Sequence, residues 1–277
     1  MKSIAAIVAV ALLQACLWLI PSGATAATMS ASDIQQTYNE ATDLFRKANE
    51  AASTSPQEAK DLYGKAAMRF ERLATDGGIH GGELYYNIGN AYFRMNDLGR
   101  AILNYRLAEQ YTPGDPNLIQ NLEYARSRRM DKIETRQQTK MLETVFFWHY
   151  DLPRGTRRLI FACCFAAFWI GMSVRLFLRK AAPRWALVCL AILAVSFLTS
   201  LAVDAVTLSR SAPGVILADE VVARKGDGES YEPAFKESLH AGTEFALVEN
   251  RSDWLQVELA DGRQCWLPRT TAALVKP

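Results

Sequence analysis

Between Glu83 and Pro116 the apolar and small positions recur at helical spacing, without the alternation of a strand. Tyr85, Ile88, Gly89 and Tyr92 fall within about two turns, and Ala101, Tyr105 and Ala108 continue the period before Pro113. Two helices are predicted, with "MNDLG" (95–99) as the turn between them. Gly89 and Ala101 carry so little bulk that the backbones can approach closely, while Tyr92 and Tyr105 fill the space beside the contact. Upstream, "EATDLFRKANEAA" and "AKDLYGKAAMRFERLA" read as a second helical pair around a turn at 53–56, with Ala66 and Phe70 echoing Ala101 and Tyr105. Downstream, "DPNLIQNLEYARSRRMDKI" starts a helix after Pro116 whose Leu118, Leu122 and Ala125 share one face. This last helix reads as a cap on a short array, and 31–140 as one helical domain.

Two long apolar runs follow. Residues 159–178 carry Arg175 as their one charge, and the run 185–203, within a span drawn over 185–206, carries none, so each can cross roughly 30 Å of hydrocarbon. The loop between them, 179–184, belongs to a basic connector, "RLFLRKAAPR", that suits the cytoplasmic side. Arg154, Arg157 and Arg158 on the other flank weaken that asymmetry. The aromatic segment 145–158, opening with "VFFWHYDLP", fits the headgroup level of the outer leaflet or a docking patch for a partner's membrane segment. At the N-terminus, Lys2, the apolar "IAAIVAVALLQACLWLI" and the small residues Ala24 and Ala26 give a signal peptide over 1–26. An uncleaved anchor is the alternative, and "LQAC" ending at Cys16 loosely resembles a lipidation site. In each case the following helices are exported.

After the linker "TLSRSAPG" the period shortens to that of strands. "WLQVEL", the turn "ADG" and "RQCWL" form a hairpin signal within a small all-β domain over 214–275. Trp254, Val257, Asp261-Gly262 and Trp266 resemble a bacterial SH3-like domain, apart from Cys265, where that family has Gly; the substitution puts a local bulge in question.

Half of the 277 residues are apolar and the formal net charge is +2, a balance that, with export, disfavours nucleic acid as a partner. The histidines His80, His149 and His240 lie in unrelated contexts, and no zinc, phosphate-loop, dinucleotide or nucleophile-elbow pattern is present. Catalytic, metal and cofactor sites are therefore not expected. Cys163, Cys164 and Cys189 fall in the apolar runs as small hydrophobes, and Cys265 has no intradomain partner. Binding surfaces remain. The pattern Tyr85-x2-Ile88-Gly89-x2-Tyr92, Ala101-x3-Tyr105, Pro113 resembles a tetratricopeptide repeat, with Tyr, Ile and Tyr for its usual Trp, Leu and Phe. In such a repeat Tyr86, Asn90 and Phe93 point to the concave side and suit peptide capture, or else Tyr86 and Phe93 pack on the preceding helix. Arg126, Arg128 and Arg129 read as a solvated helix face, the alternative being a site for an acidic partner.

The order of parts resembles the BatE family of bacterial inner-membrane proteins from the aerotolerance operon. The resemblance covers nearly the whole chain and rests most on "ELYYNIGNAYFRMNDLGRAILNYRLAEQYTPGDPNLIQNLEYAR" and on "FFWHYDLP" before paired spans. It implies a non-enzymatic component working beside von Willebrand factor A domain membrane proteins and a MoxR-type AAA+ ATPase. The expected fold is thus multi-domain: a tetratricopeptide array, a transmembrane hairpin and an SH3-like barrel. The expected role is an inner-membrane scaffold with both globular parts in the periplasm, the rival being a peptidoglycan-binding module that uses Tyr231 and Trp254.

Overall fold

The computed structural model describes residues 29–133, 146–150, 152, 154–177, 184–210 and 212–276. The expected signal peptide and nearly all of the connector 179–184 lie outside the described residues.

Five helices come first: α1 (Ala31–Ala51), α2 (Pro56–Thr75), α3 (Gly82–Arg94), α4 (Leu98–Tyr111) and α5 (Pro116–Ser127). Their starts are written locally. The Ser30 side chain accepts from the Asp33 amide, Asp97 accepts from the Arg100 amide, and Asp115 accepts from the Asn117 and Leu118 amides, with Pro at the first helical position of α2 and α5. The turn read over 95–99 is shorter than expected. Asn96 takes the left-handed conformation, φ 65°, and the Asp97 cap starts α4 at once, so Leu98 and Gly99 are helical. The helices form two consecutive hairpins and a cap. At the centre, a Cβ on Gly89 would lie 2.6 Å from the Tyr105 ring, so the missing side chain is what admits that ring. Tyr105, Phe70, Ile88, Ile102, Leu118 and Leu122 are essentially sealed from solvent.

The expected boundary at 140 lies outside the described residues. Helix α5 stops at Ser127, and the chain then runs to Ile133, which packs on the core of the β domain.

A short helix α6 (Phe147–Tyr150) precedes α7 (Arg154–Phe177) and α8 (Arg184–Arg210). Within them Gly155–Arg175 and Arg184–Val206 are long and apolar enough to cross a membrane, and most of their surface is uncovered. The first of these stretches opens at Gly155, and Arg157 within it is buried. Its guanidinium donates to Asp204 Oδ2 at 2.6 Å and Ser200 Oγ at 2.7 Å, tying α7 to α8. The polar linker after the second span is also shorter than expected, since α8 continues through Arg210.

The C-terminal part is antiparallel. Strands β1 (Pro213–Ile216), β4 (Glu244–Asn250), β5 (Trp254–Leu259), β6 (Gln264–Pro268) and β7 (Ala272–Leu274) form a sheet in the order β6-β5-β4-β1-β7. Strands β2 (Glu220–Val221) and β3 (Leu239–His240) pair separately. The predicted hairpin is β5–β6, turning at Gly262 with φ 82°. Val257 pairs with Cys265 in unbroken register, so no bulge falls there; the register shift lies in β4, between Leu247 and Glu249. Cys265 is buried and points into the core with Leu255, Val257 and Leu267.

The helical and β parts pack on each other. Val215 and Val275 join the hydrophobic core of the helices, and Gly99 lies so close to β1 that a Cβ there would sit 2.8 Å from the Ile216 carbonyl oxygen.

Candidate functional site

Tyr86, Asn90 and Phe93 are spaced i, i+4, i+7, which sets them on one stripe of α3 while Ile88, Gly89 and Tyr92 turn to the interior. The stripe lines a groove of about 490 Å³. Phe45 of α1 forms one wall and Asn121 and Tyr124 of α5 the other, with Tyr105 beneath and Arg94 beyond. The three residues singled out by sequence are thus brought together, each partly exposed. Tyr86 and Phe93 also rest against the helical core.

Polar contacts fix the groove floor. Tyr105 Oη donates to Asn90 Oδ1 at 2.8 Å, and Asn121 Nδ2 donates to the same oxygen at 3.1 Å and to Tyr86 Oη at 2.8 Å. Burial raises the Tyr105 phenol well above its ordinary value, so it remains a donor at all ordinary pH. The aromatic rings continue the surface: Tyr86 and Tyr105 have centroids 6.0 Å apart, and Phe93 and Tyr124 5.6 Å. A rigid aromatic wall and amide-bearing floor can hold an extended chain, the rings against side chains and the amides against backbone groups.

Phe45, Arg94, Asn121 and Tyr124 were not singled out by sequence. Asn121 and Tyr124 lie three apart on α5, beside its buried Leu118, Leu122 and Ala125, and only the crossing angle of α5 on α3 decides that they face the groove. Phe45 is some forty residues upstream on an array whose period is blurred by "DGGIHGG".

The arginines at the end of α5 and just past it contradict the solvated-face expectation in two of three positions. Arg126 grips Glu244 of β4 through Nε and Nη2, both at 2.8 Å, and Arg129 Nη1 lies 3.2 Å from the same carboxylate. Arg106 adds a contact at 3.4 Å, and Arg128 alone is exposed. Burial opposes ionisation of Glu244, yet the surrounding guanidiniums hold its carboxyl below the usual range. Nearby, Asp131 accepts from the His240 amide at 2.7 Å and from Thr243 Oγ1 at 2.6 Å; burial works against its charge, and these bonds keep its carboxyl low as well. His240 therefore belongs to the seam between helices and sheet.

Among the described residues no group of His, Cys, Asp and Glu is arranged to hold a metal. In the β domain Tyr231 is half exposed, whereas Trp254 is partly buried in β5 and Trp266 is buried under the Arg251 guanidinium, 4.6 Å from its ring centroid. Comparison with protein-family models and with curated proteins returned no match.

Proposed function

We propose that the chain is a non-enzymatic scaffold of a bacterial inner membrane, whose helical hairpins act as a tetratricopeptide-type array that captures periplasmic segments of partner membrane proteins. The observation that carries this reading is the α3 groove, where Tyr86, Asn90 and Phe93 meet Tyr124 and Asn121 across an open cleft. The two apolar helices support a membrane anchorage with one short connector inside. Because the helices and the sheet pack together, two crossings must return the chain to the side it left, which suits both parts lying in the periplasm. Holding the groove beside the bilayer raises the effective concentration of other membrane proteins, so a modest intrinsic affinity suffices. The resemblance to the BatE family points to von Willebrand factor A domain membrane proteins as partners and, through them, to a MoxR-type ATPase, in an aerotolerance or envelope-stress complex. The β domain would then be an SH3-like module that buttresses the array.

Peptidoglycan binding by that module is the second reading, and the exposed Tyr231 favours it. Against it, Trp254 is partly buried in the sheet, so the pair does not present two open rings.

The test is site-specific photocrosslinking in membranes with a benzophenone residue at Tyr124 on α5 or, as control, at Arg128 just past its end, both exposed. A von Willebrand-type membrane protein should be captured from position 124 and not from 128, and Phe93→Ala should abolish the adduct. Capture from 128 alone, or wall fragments alone, would sink the groove reading.

A further inference from the structure

The hydrogen-bonding capacity left on the α3 side of the groove is one-sided, while Asn121, its amide nitrogen engaged, keeps an acceptor oxygen on the other. Asn90 Oδ1 already accepts from Tyr105 and Asn121, and Tyr86 Oη accepts from Asn121. What these two groove side chains have left is donors: both N–H groups of Asn90 Nδ2 and the hydroxyl hydrogen of Tyr86. Arg94 lies one turn beyond Asn90, exposed at the end of α3, and meets no carboxylate among the described residues, while the other lining positions contribute aromatic rings and Asn121. Among the described residues no Asp or Glu lines the cleft. Donors and a cation without acids select against a basic ligand, whose charge would face Arg94 uncompensated, and favour one rich in acceptors and negative charge.

We propose that the groove takes an extended peptide bearing a carboxylate, seated where Arg94, Asn90 Nδ2 and the Tyr86 hydroxyl converge, with an apolar side chain against Phe93 and Tyr124. The carboxylate comes from an acidic side chain or from a free C-terminus; either satisfies the same donors. This rests on the groove being a peptide site, and it adds what the peptide must carry.

The experiment measures binding of the full chain in nanodiscs to positional-scanning octapeptide libraries, each made with a free and with an amidated C-terminus. Fractions fixed as Asp or Glu should bind about tenfold more tightly than those fixed as Asn or Gln, the loss expected for one charge-assisted contact. If only the free C-terminus confers that gain, the terminal carboxylate is the group held. Arg94→Gln should remove the preference while neutral fractions bind as before, and Arg94→Lys should keep part of it. Binding without an acidic preference, or one for Lys and Arg, overturns this inference and leaves the peptide groove standing. If no fraction binds, both fall.

Discussion

Asn90 carries two loads, since its oxygen satisfies the Tyr105 hydroxyl, which is sealed at 1 % exposure, while its nitrogens face the cleft. Asn90→Ala would leave that hydroxyl buried without a partner, a loss of about 1–3 kcal/mol. Tyr105→Phe removes the donor together with its need and should cost only about 1 kcal/mol. Thermal unfolding of the full chain in detergent should rank the two in that order, with Asn121→Ala between them; equal midpoints would show that Asn90 is merely a lining residue. The design lesson is that Asn90→Ala is a poor probe of binding, because it disturbs the fold, whereas Phe93 and Arg94 are partly or fully exposed and test the groove more cleanly. At this scale the sequence was readable where one helix supplies its own evidence. Tyr86, Asn90 and Phe93 follow from the period of α3, but the bonds that give Asn90 its second load come from Tyr105 and Asn121, 15 and 31 residues away.

Helix α5 shows what a local pattern omits. Its Leu118, Leu122 and Ala125 were legible as a buried face, and the arginines just beyond them had every mark of solvent exposure, because their acid is Glu244, 118 residues further along for Arg126. The segment after Ser127 is a second case: Asp131 and Ile133 are held by contacts to the β domain, and nothing in the segment's own period announces them. Glu244 and Asp131 both ionise more readily in the folded protein than in the unfolded chain. Their contribution is therefore complete above the ordinary carboxylate range and is lost as pH falls below about 4. Acid should loosen the seam before it melts the helices. Hydrogen exchange followed from neutral pH to pH 3 should show protection lost first around β1 and β4, and Glu244→Gln should flatten that dependence while costing roughly 2 kcal/mol at neutral pH. A pH profile that Glu244→Gln leaves unchanged would remove the carboxylate from the seam.

For the whole molecule, the order of parts was readable and their union was not. Gly99 looked like a turn residue, yet its role is to let α4 come against β1, where a side chain would meet backbone that cannot rotate aside. Gly99→Val should part the sheet from the array while both stay folded, read as new protease cleavage near 128–133 with the helical circular dichroism kept; an unchanged digest would mean that the contact is not needed. The deeper consequence concerns the order of manufacture. The packed body of helices and sheet is assembled from two stretches of chain, 29–133 and 212–276, with both long apolar helices between them. Val215 and Val275 complete a core that the first stretch begins, so that core cannot close until the ribosome has delivered the two apolar helices and the strands that follow them. A chain interrupted before β1 leaves its helices with an open apolar flank.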